Sequence, residues 1–153
     1  MKTKDSSSAK REEILRKYWF FHPEKPLTQS LMAFGLEVGD GWLNLIDELC
    51  YKLRHLIETK YPDYITGEFP FEVVQVKEKF GGLRFYTNYT NDEIEKLITK
   101  YERKSFRICE RCGKKGKLRS DLPWIQTLCK ECYELRKLNS DVNQALLNEK
   151  KEK

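Results

Sequence analysis

Four of the five cysteines fall in two close pairs, Cys109/Cys112 and Cys129/Cys132, within the run CERCGKKGKLRSDLPWIQTLCKEC, a Cys-x2-Cys-x16-Cys-x2-Cys pattern. A Cys-x2-Cys turn presents two thiolates at the angle a tetrahedral metal needs, and the repeated pair reads as a zinc site rather than a disulfide framework. Gly113, just after the first knuckle, frees the backbone to turn there. With four sulfur ligands no position is left for an activated water, so Zn²⁺ here would be structural. Its binding free energy, on the order of 10 kcal/mol in zinc-finger peptides, would be folding free energy for a segment too short to have its own core.

Little else in the chain suggests catalysis. Only two histidines are present, His22 and His55. His55 lies five residues from Cys50, so on a helix the two side chains diverge and form no dyad. Cys50 sits among Ile46, Leu49 and Leu53 and reads as a packed thiol. Asp47 and Glu48 are adjacent on a helix, pointing about 100° apart, and read as part of a solvated face. There is no phosphate-binding loop and no dinucleotide fingerprint. The expectation is a non-enzymatic protein without a small-molecule substrate.

Charge is concentrated around the cysteines. From Arg103 to Lys137 eleven basic residues face four acidic ones, a net of +7, against −2 for the remainder of the 153-residue chain. Four thiolates on one Zn²⁺ cancel two of those units. A basic stretch of this kind is the footprint of phosphate contacts. The candidate nucleic-acid-binding residues are Lys114, Lys115, Lys117, Arg119, Lys130, Arg136 and Lys137. A second set, Lys77, Lys79, Arg84 and Tyr86, lies in EVVQVKEKFGGLRFYTNY.

These residues need elements to hold them. At 39% hydrophobic content the chain can bury one modest core. Residues 1–9 are polar and Ser-rich and read as a disordered N-terminus, ahead of an α+β domain over 10–107, a four-cysteine zinc module over 108–138 and a charged helical or disordered tail over 139–153. Ile14, Leu15, Tyr18 and Trp19 recur at helical spacing until Pro23 and Pro26 stop the helix, and Tyr18-Trp19-Phe20-Phe21 reads as a packing cluster. Asp40 is a candidate cap for a helix whose apolar side is Trp42, Leu45, Ile46, Leu49, Leu53, Leu56 and Ile57, with Glu48 and Lys52 spaced for an i,i+4 pair.

A hairpin turning at Gly81-Gly82 would set Phe80 opposite Leu83. Val74, Val76, Phe80, Leu83 and Phe85 would then share one face with Glu78, Thr87 and Tyr89. The other would carry Val73, Gln75, Lys77, Lys79, Arg84, Tyr86 and Asn88, with Lys79 against Arg84 as a like-charge pair. Thr90 and Glu93 form a capping box for a helix with Ile94, Leu97, Ile98 and Tyr101 inward. The fold class expected is α+β: helices packed on a small antiparallel sheet, its basic face outward. Between the knuckles, Leu118, Trp124, Ile125 and Leu128 suit a hairpin, and the second knuckle leads into helical YELRKL.

Knuckle, hairpin, then knuckle at a helix start resembles a treble-clef finger, and the segment is similar to a GATA-type finger one residue shorter between the pairs. That likeness covers about 30 residues and implies fold more than function. More widely, FGLEVGDGWLNLIDELC, VVQVKEKFGGLRFYTN, CERCGKKGKL and LCKEC occur in that order between Phe34 and Cys132. This order resembles a group of small bacterial, phage and mobile-element proteins that pair a Gly-Trp helix and a KEKFGGLRFY hairpin with a C-terminal four-cysteine site. The resemblance implies a fold and a phage or mobile-element habitat, where small proteins commonly bind nucleic acid or host proteins.

Two functions are therefore expected to compete: nucleic-acid binding through the basic surface, and a protein-binding regulator or inhibitor of a host or defence protein that uses exposed aromatics. No apolar run approaches the roughly 20 residues that span a bilayer, and the N-terminus MKTKDSSSAKREE lacks an apolar signal region, so no membrane partner is expected. The expected compartment is the cytoplasm, the host's if phage encoded.

Overall fold

The computed structural model describes residues 2–152, with side chains described from Ser6 onward. The chain runs α1 (Lys2–Lys17), β1 (Leu36–Glu37), α2 (Leu43–Lys60), α3 (Asp63–Thr66), β2 (Glu72–Lys79), β3 (Gly82–Asn88), α4 (Asp92–Ser105), β4 (Lys117–Arg119), β5 (Gln126–Leu128) and α5 (Lys130–Glu152). It is a mixed α+β fold with two small sheets and a C-terminal cluster of four cysteines. Of the N-terminus expected to be disordered, Met1 lies outside the described residues and the rest begins α1 at Lys2. The expected tail is the second half of α5, apart from Lys153, which also lies outside. No described helix is long and apolar enough to cross a membrane.

The main core helix forms where its period places it. Trp42, Leu45, Ile46, Leu49, Leu53 and Ile57 are all buried, Leu56 partly so, and Cys50 is fully enclosed among them. Burial raises the Cys50 thiol pKa well above the ordinary value, as expected of an inert packed thiol. Asp40 does not cap this helix. It opens a 3₁₀ turn, Asp40–Trp42, and its carboxylate accepts a 2.8 Å hydrogen bond from Arg11. The two adjacent acids on the outer side are each engaged by a tyrosine. Tyr18 donates to Asp47 Oδ1 at 2.6 Å, Tyr101 donates to Glu48 Oε1 at 2.8 Å, and Glu48 also pairs with Lys52.

The aromatic cluster after α1 packs inward. Tyr18, Phe20 and Phe21 are buried, and Phe20 meets Phe71 edge-on at 5.2 Å between ring centroids. The chain there also joins the sheet, where the Val73 N–H donates to the Phe20 carbonyl at 3.0 Å. At its other end the sheet gains β1, parallel to β2, through Leu36 opposite Val76. A two-residue strand has too short an alternation to be read from sequence.

The hairpin turns one residue earlier than expected, which moves β3 by two residues along β2 and so keeps Val76, Leu83 and Phe85 on the inner face. Its turn is Phe80-Gly81, both at positive φ (53° and 84°), as in the primed turns that suit strand twist. Lys77 therefore opposes Arg84, Glu78 opposes Leu83, and Lys79 opposes Gly82. Phe80 sits at the tip and is exposed instead of in the core. A bulge between Val73 and Gln75 turns Val73 inward and leaves Val74 half-buried, while the Val74 carbonyl accepts from the Leu31 N–H. Such an extra residue reverses the alternation beyond it, which is why Val73 changed faces.

β3 would be an open edge were it not for α4. Ser105 Oγ accepts from the Leu83 N–H at 2.9 Å, and Glu102 Oε2 accepts from the Phe85 N–H at 3.0 Å. Asn91, not Thr90, caps α4 by accepting from the Ile94 N–H, and Glu93 is drawn instead to Lys60 and the Tyr61 hydroxyl.

Two glycine-bearing segments are pressed against the cysteine region. A Cβ on Gly41 would overlap the Cys109 carbonyl and the Gly113 nitrogen, and one on Gly82 would overlap the Phe106 ring. Trp42 Nε1 donates to the Ile108 carbonyl at 2.8 Å, deep in the structure. Gly41→Ala should therefore destabilise the protein by about 1–3 kcal/mol, as overpacking does, and Trp42→Phe by a similar amount through the orphaned Ile108 carbonyl, both read by chemical denaturation.

Candidate metal centre and its basic surround

The first knuckle is shaped by its own backbone. Gly113, at φ 82°, donates to the Cys109 carbonyl at 2.9 Å, and the Cys109 N–H donates to the Lys114 carbonyl at 2.7 Å, closing the turn that holds Cys109 and Cys112. β4 and β5 then form a short antiparallel pair, Lys117 opposite Leu128 and Arg119 opposite Gln126. This pair returns the chain to Cys129, whose carbonyl accepts from the Tyr133 N–H as α5 begins.

The four Sγ atoms lie within 4.8 Å of one another, and Cys112 Sγ and Cys129 Sγ are 3.6 Å apart. Tetrahedral sulfurs at Zn–S of about 2.3 Å would be about 3.8 Å apart, so the donor set fits such an ion. A disulfide needs about 2.05 Å, and all five cysteines are free. The Cys132 N–H points at Cys129 Sγ and lowers that thiol's pKa to about 7, whereas burial raises Cys112 and Cys132. Cys109, Cys129 and Cys132 are buried and Cys112 is exposed. These four residues form a site able to hold a metal ion.

The site is joined to the α/β body through residues that spacing alone did not identify. Gly41 N–H donates to the Glu110 carbonyl at 2.7 Å and Gly39 N–H to Glu110 Oε2 at 2.9 Å. On the far side, Thr127 Oγ1 donates to the Gly81 carbonyl at 2.6 Å, and the Glu110 N–H donates to the Thr127 carbonyl at 3.0 Å. Burial raises the Glu110 carboxyl, and the Gly39 N–H opposes that rise. The glycines in FGG were legible as turn residues, but those in GDGW were not, and neither were the partners that any of them touches.

The bases of the cysteine region make almost no ion pairs. Lys114 comes within 3.8 Å of Glu131, while Lys115, Lys117, Arg119, Lys130, Arg136 and Lys137 make no ion pair among the described residues. Arg119 and Lys137 lie over the Tyr133 ring, at 4.4 and 5.8 Å, and Arg136 lies 4.8 Å from the ring of Trp124, which is exposed. The hairpin set is arranged differently. Lys77 lies over Tyr86, but Lys79 and Arg84 line a groove of about 530 Å³ with Glu95 and Glu102 of α4, so acids share that surface. The structure leaves the bases of the cysteine region almost without ion pairs and sets Lys79 and Arg84 in a groove with Glu95 and Glu102.

A further basic strip was missed. Lys96, Lys100 and Arg103 along α4, and Arg107 in the turn just past its end, line a trough of about 580 Å³ together with Lys104, Asp92 and Glu95. Their spacing of four, three and four residues is the signal, obscured in the sequence by the apolar stripe that alternates with it.

One bound metal per chain is the expected result of elemental analysis, lost in Cys129→Ser and kept in Cys50→Ala. Protons compete with the metal for thiolates, so affinity should fall as pH falls, with metal release on acidification tracked by a chromogenic chelator. Comparisons with protein-family models, with curated proteins and with solved structures give no match.

Proposed function

We propose that the chain is a non-enzymatic binding protein in which Cys109, Cys112, Cys129 and Cys132 hold a structural Zn²⁺, and that the basic surface around them contacts nucleic acid. The observation that carries this reading is the set of exposed bases at the cysteine site with almost no acid pairing, set beside an exposed Trp124 under Arg136. Unpaired Lys and Arg offer charge to phosphates, and an exposed ring with a guanidinium over it offers a surface on which a base can stack. The order of knuckle, β4–β5 pair and knuckle at the start of α5 supports a treble-clef module. The basic strip of α4 leads toward the first knuckle at Arg107 and extends the same surface. The resemblance to phage and mobile-element proteins supports a cytoplasmic setting.

One observation favours a second reading, a protein-binding regulator or inhibitor. Phe69 and Tyr89 are both exposed, stand 5.2 Å apart, and border a separate hollow with Tyr64 and Gly67. Exposed aromatic pairs of this kind are frequent anchors in protein interfaces.

Fluorescence anisotropy of the metal-loaded protein with random duplex DNA and single-stranded RNA, across a salt series, separates the two. Nucleic-acid binding predicts a log K falling linearly with log salt, and Lys115→Glu or Lys117→Glu should weaken binding across all sequences and reduce that slope by about one. No binding even at low salt would remove the reading, and pull-down on the Phe69–Tyr89 surface would become the next test.

A further inference from the structure

The hollow beside Phe69 and Tyr89 carries charge as well as rings. Asp63 and Glu68 line it together with Tyr64, Phe69 and Tyr89, around a space of about 440 Å³. The two segments that form its walls, residues 61–71 and 87–92, contain three acids and no base, on a chain whose net charge is +5. Asp63 and Glu68 make no ion pair among the described residues, and Lys60, the last residue of α2, is taken by Glu93 at 2.7 Å. Their charge is left for something outside the fold to meet.

Hydrogen bonds fix the walls in place. The Gly67 N–H donates to the Asp63 carbonyl at 2.9 Å, and a Cβ at Gly67 would lie 2.4 Å from that oxygen, so the chain turns back tightly and brings Glu68 and Phe69 beside α3. The Phe71 N–H donates to the Tyr64 carbonyl at 2.8 Å, and the Tyr64 hydroxyl donates to the Thr90 carbonyl at 3.1 Å, which ties α3 to the turn between β3 and α4. In that turn Tyr89 stands at φ 59°, a left-handed conformation that bulky residues seldom adopt, with its ring 49% exposed against that of Phe69. Backbone strain of this kind collects where a ligand is met.

Ring faces carry negative charge, and carboxylates beside them add to it, so the hollow attracts a cation and repels phosphate. A guanidinium fits it better than an ammonium, because it is planar, stacks on a ring, forks onto a carboxylate and is the more weakly hydrated of the two. We propose that the hollow between α3 and the β3–α4 turn binds an arginine side chain from a basic segment of a partner protein, stacked on Phe69 and Tyr89 and held by Asp63 and Glu68. The proposal rests on the hollow of the protein-binding reading and is independent of the nucleic-acid one.

Amide NMR of the metal-loaded full chain, titrated with the capped peptide Gly-Arg-Gly, should show saturable shifts at Gly67, Glu68, Phe69, Tyr89 and Thr90 in the millimolar range. The same peptide carrying citrulline, which has the shape of arginine without its charge, should leave them in place. Phe69→Ala should weaken binding about two- to fivefold, as loss of one exposed ring–cation contact does, and Glu68→Gln should weaken it as well. Metal content, and amide positions away from each substitution, should be unchanged in both variants, which separates lost binding from lost folding. No saturable shift with the arginine peptide, shifts spread evenly over carboxylates elsewhere, or full binding by Glu68→Gln would overturn the proposal. Equal shifts with the citrulline peptide would overturn it too, and would leave Phe69 and Tyr89 as an anchor for apolar groups alone.

Discussion

The contact on which the rest of the structure depends is the seating of the first knuckle on the Gly39–Trp42 turn. Three hydrogen bonds make it: Gly41 N–H to the Glu110 carbonyl, Gly39 N–H to the Glu110 carboxylate, and the Trp42 indole to the Ile108 carbonyl. Only glycine can stand at position 41, because a side chain there would occupy the space of Cys109 and Gly113. The same turn begins α2, so the helix that organises the apolar core and the loop that carries the first two cysteines share one support. The hairpin tip grips the module from the other side, with the Gly81 carbonyl on Thr127 and Gly82 under Phe106. The cysteine module is built against the body at two places.

That arrangement gives the two glycine-bearing segments, at Gly41 and at Gly82, a common physical reason. Each marks a place where backbone approaches backbone or ring too closely for a Cβ. A metal held by the four cysteines would do more than close a small loop: by fixing Cys109 to Cys132 it would hold Ile108, Glu110 and Thr127 where the body's donors and acceptors find them. The bases are left on the outside of that joint, which is what a binding surface requires.

Much of this was legible in the sequence. The four-cysteine pattern, the buried side of α2, the packing of Tyr18 to Phe21 and the basic character of the cysteine region all follow from residue type and spacing. What was not legible depended on tertiary choices. The hairpin could turn at Phe80-Gly81 or at Gly81-Gly82, and the docking of Gly82 under Phe106, far along the chain, accompanies the first. The bulge at Val73 follows from neighbours, Phe20 and Leu31, that lie more than forty residues earlier. Asp40 and Thr90 have the chemistry of caps, but Arg11 takes the first and Asn91 takes the place of the second. Arg84 reads as a free base in sequence and lies in a groove with Glu102 because α4 closes the sheet edge.

Hydrogen exchange of the full chain with and without metal tests the central claim, that the cysteine module and the Gly39–Trp42 turn are one joint. Removal of the metal should strip protection from the Gly39 and Gly41 amides and the Trp42 indole together with Glu110, while amides in the middle of α2 and in the β2–β3 pair exchange as before. If the Gly41 amide and the Trp42 indole keep their protection after the metal is gone, the turn does not depend on the knuckle and the account is wrong.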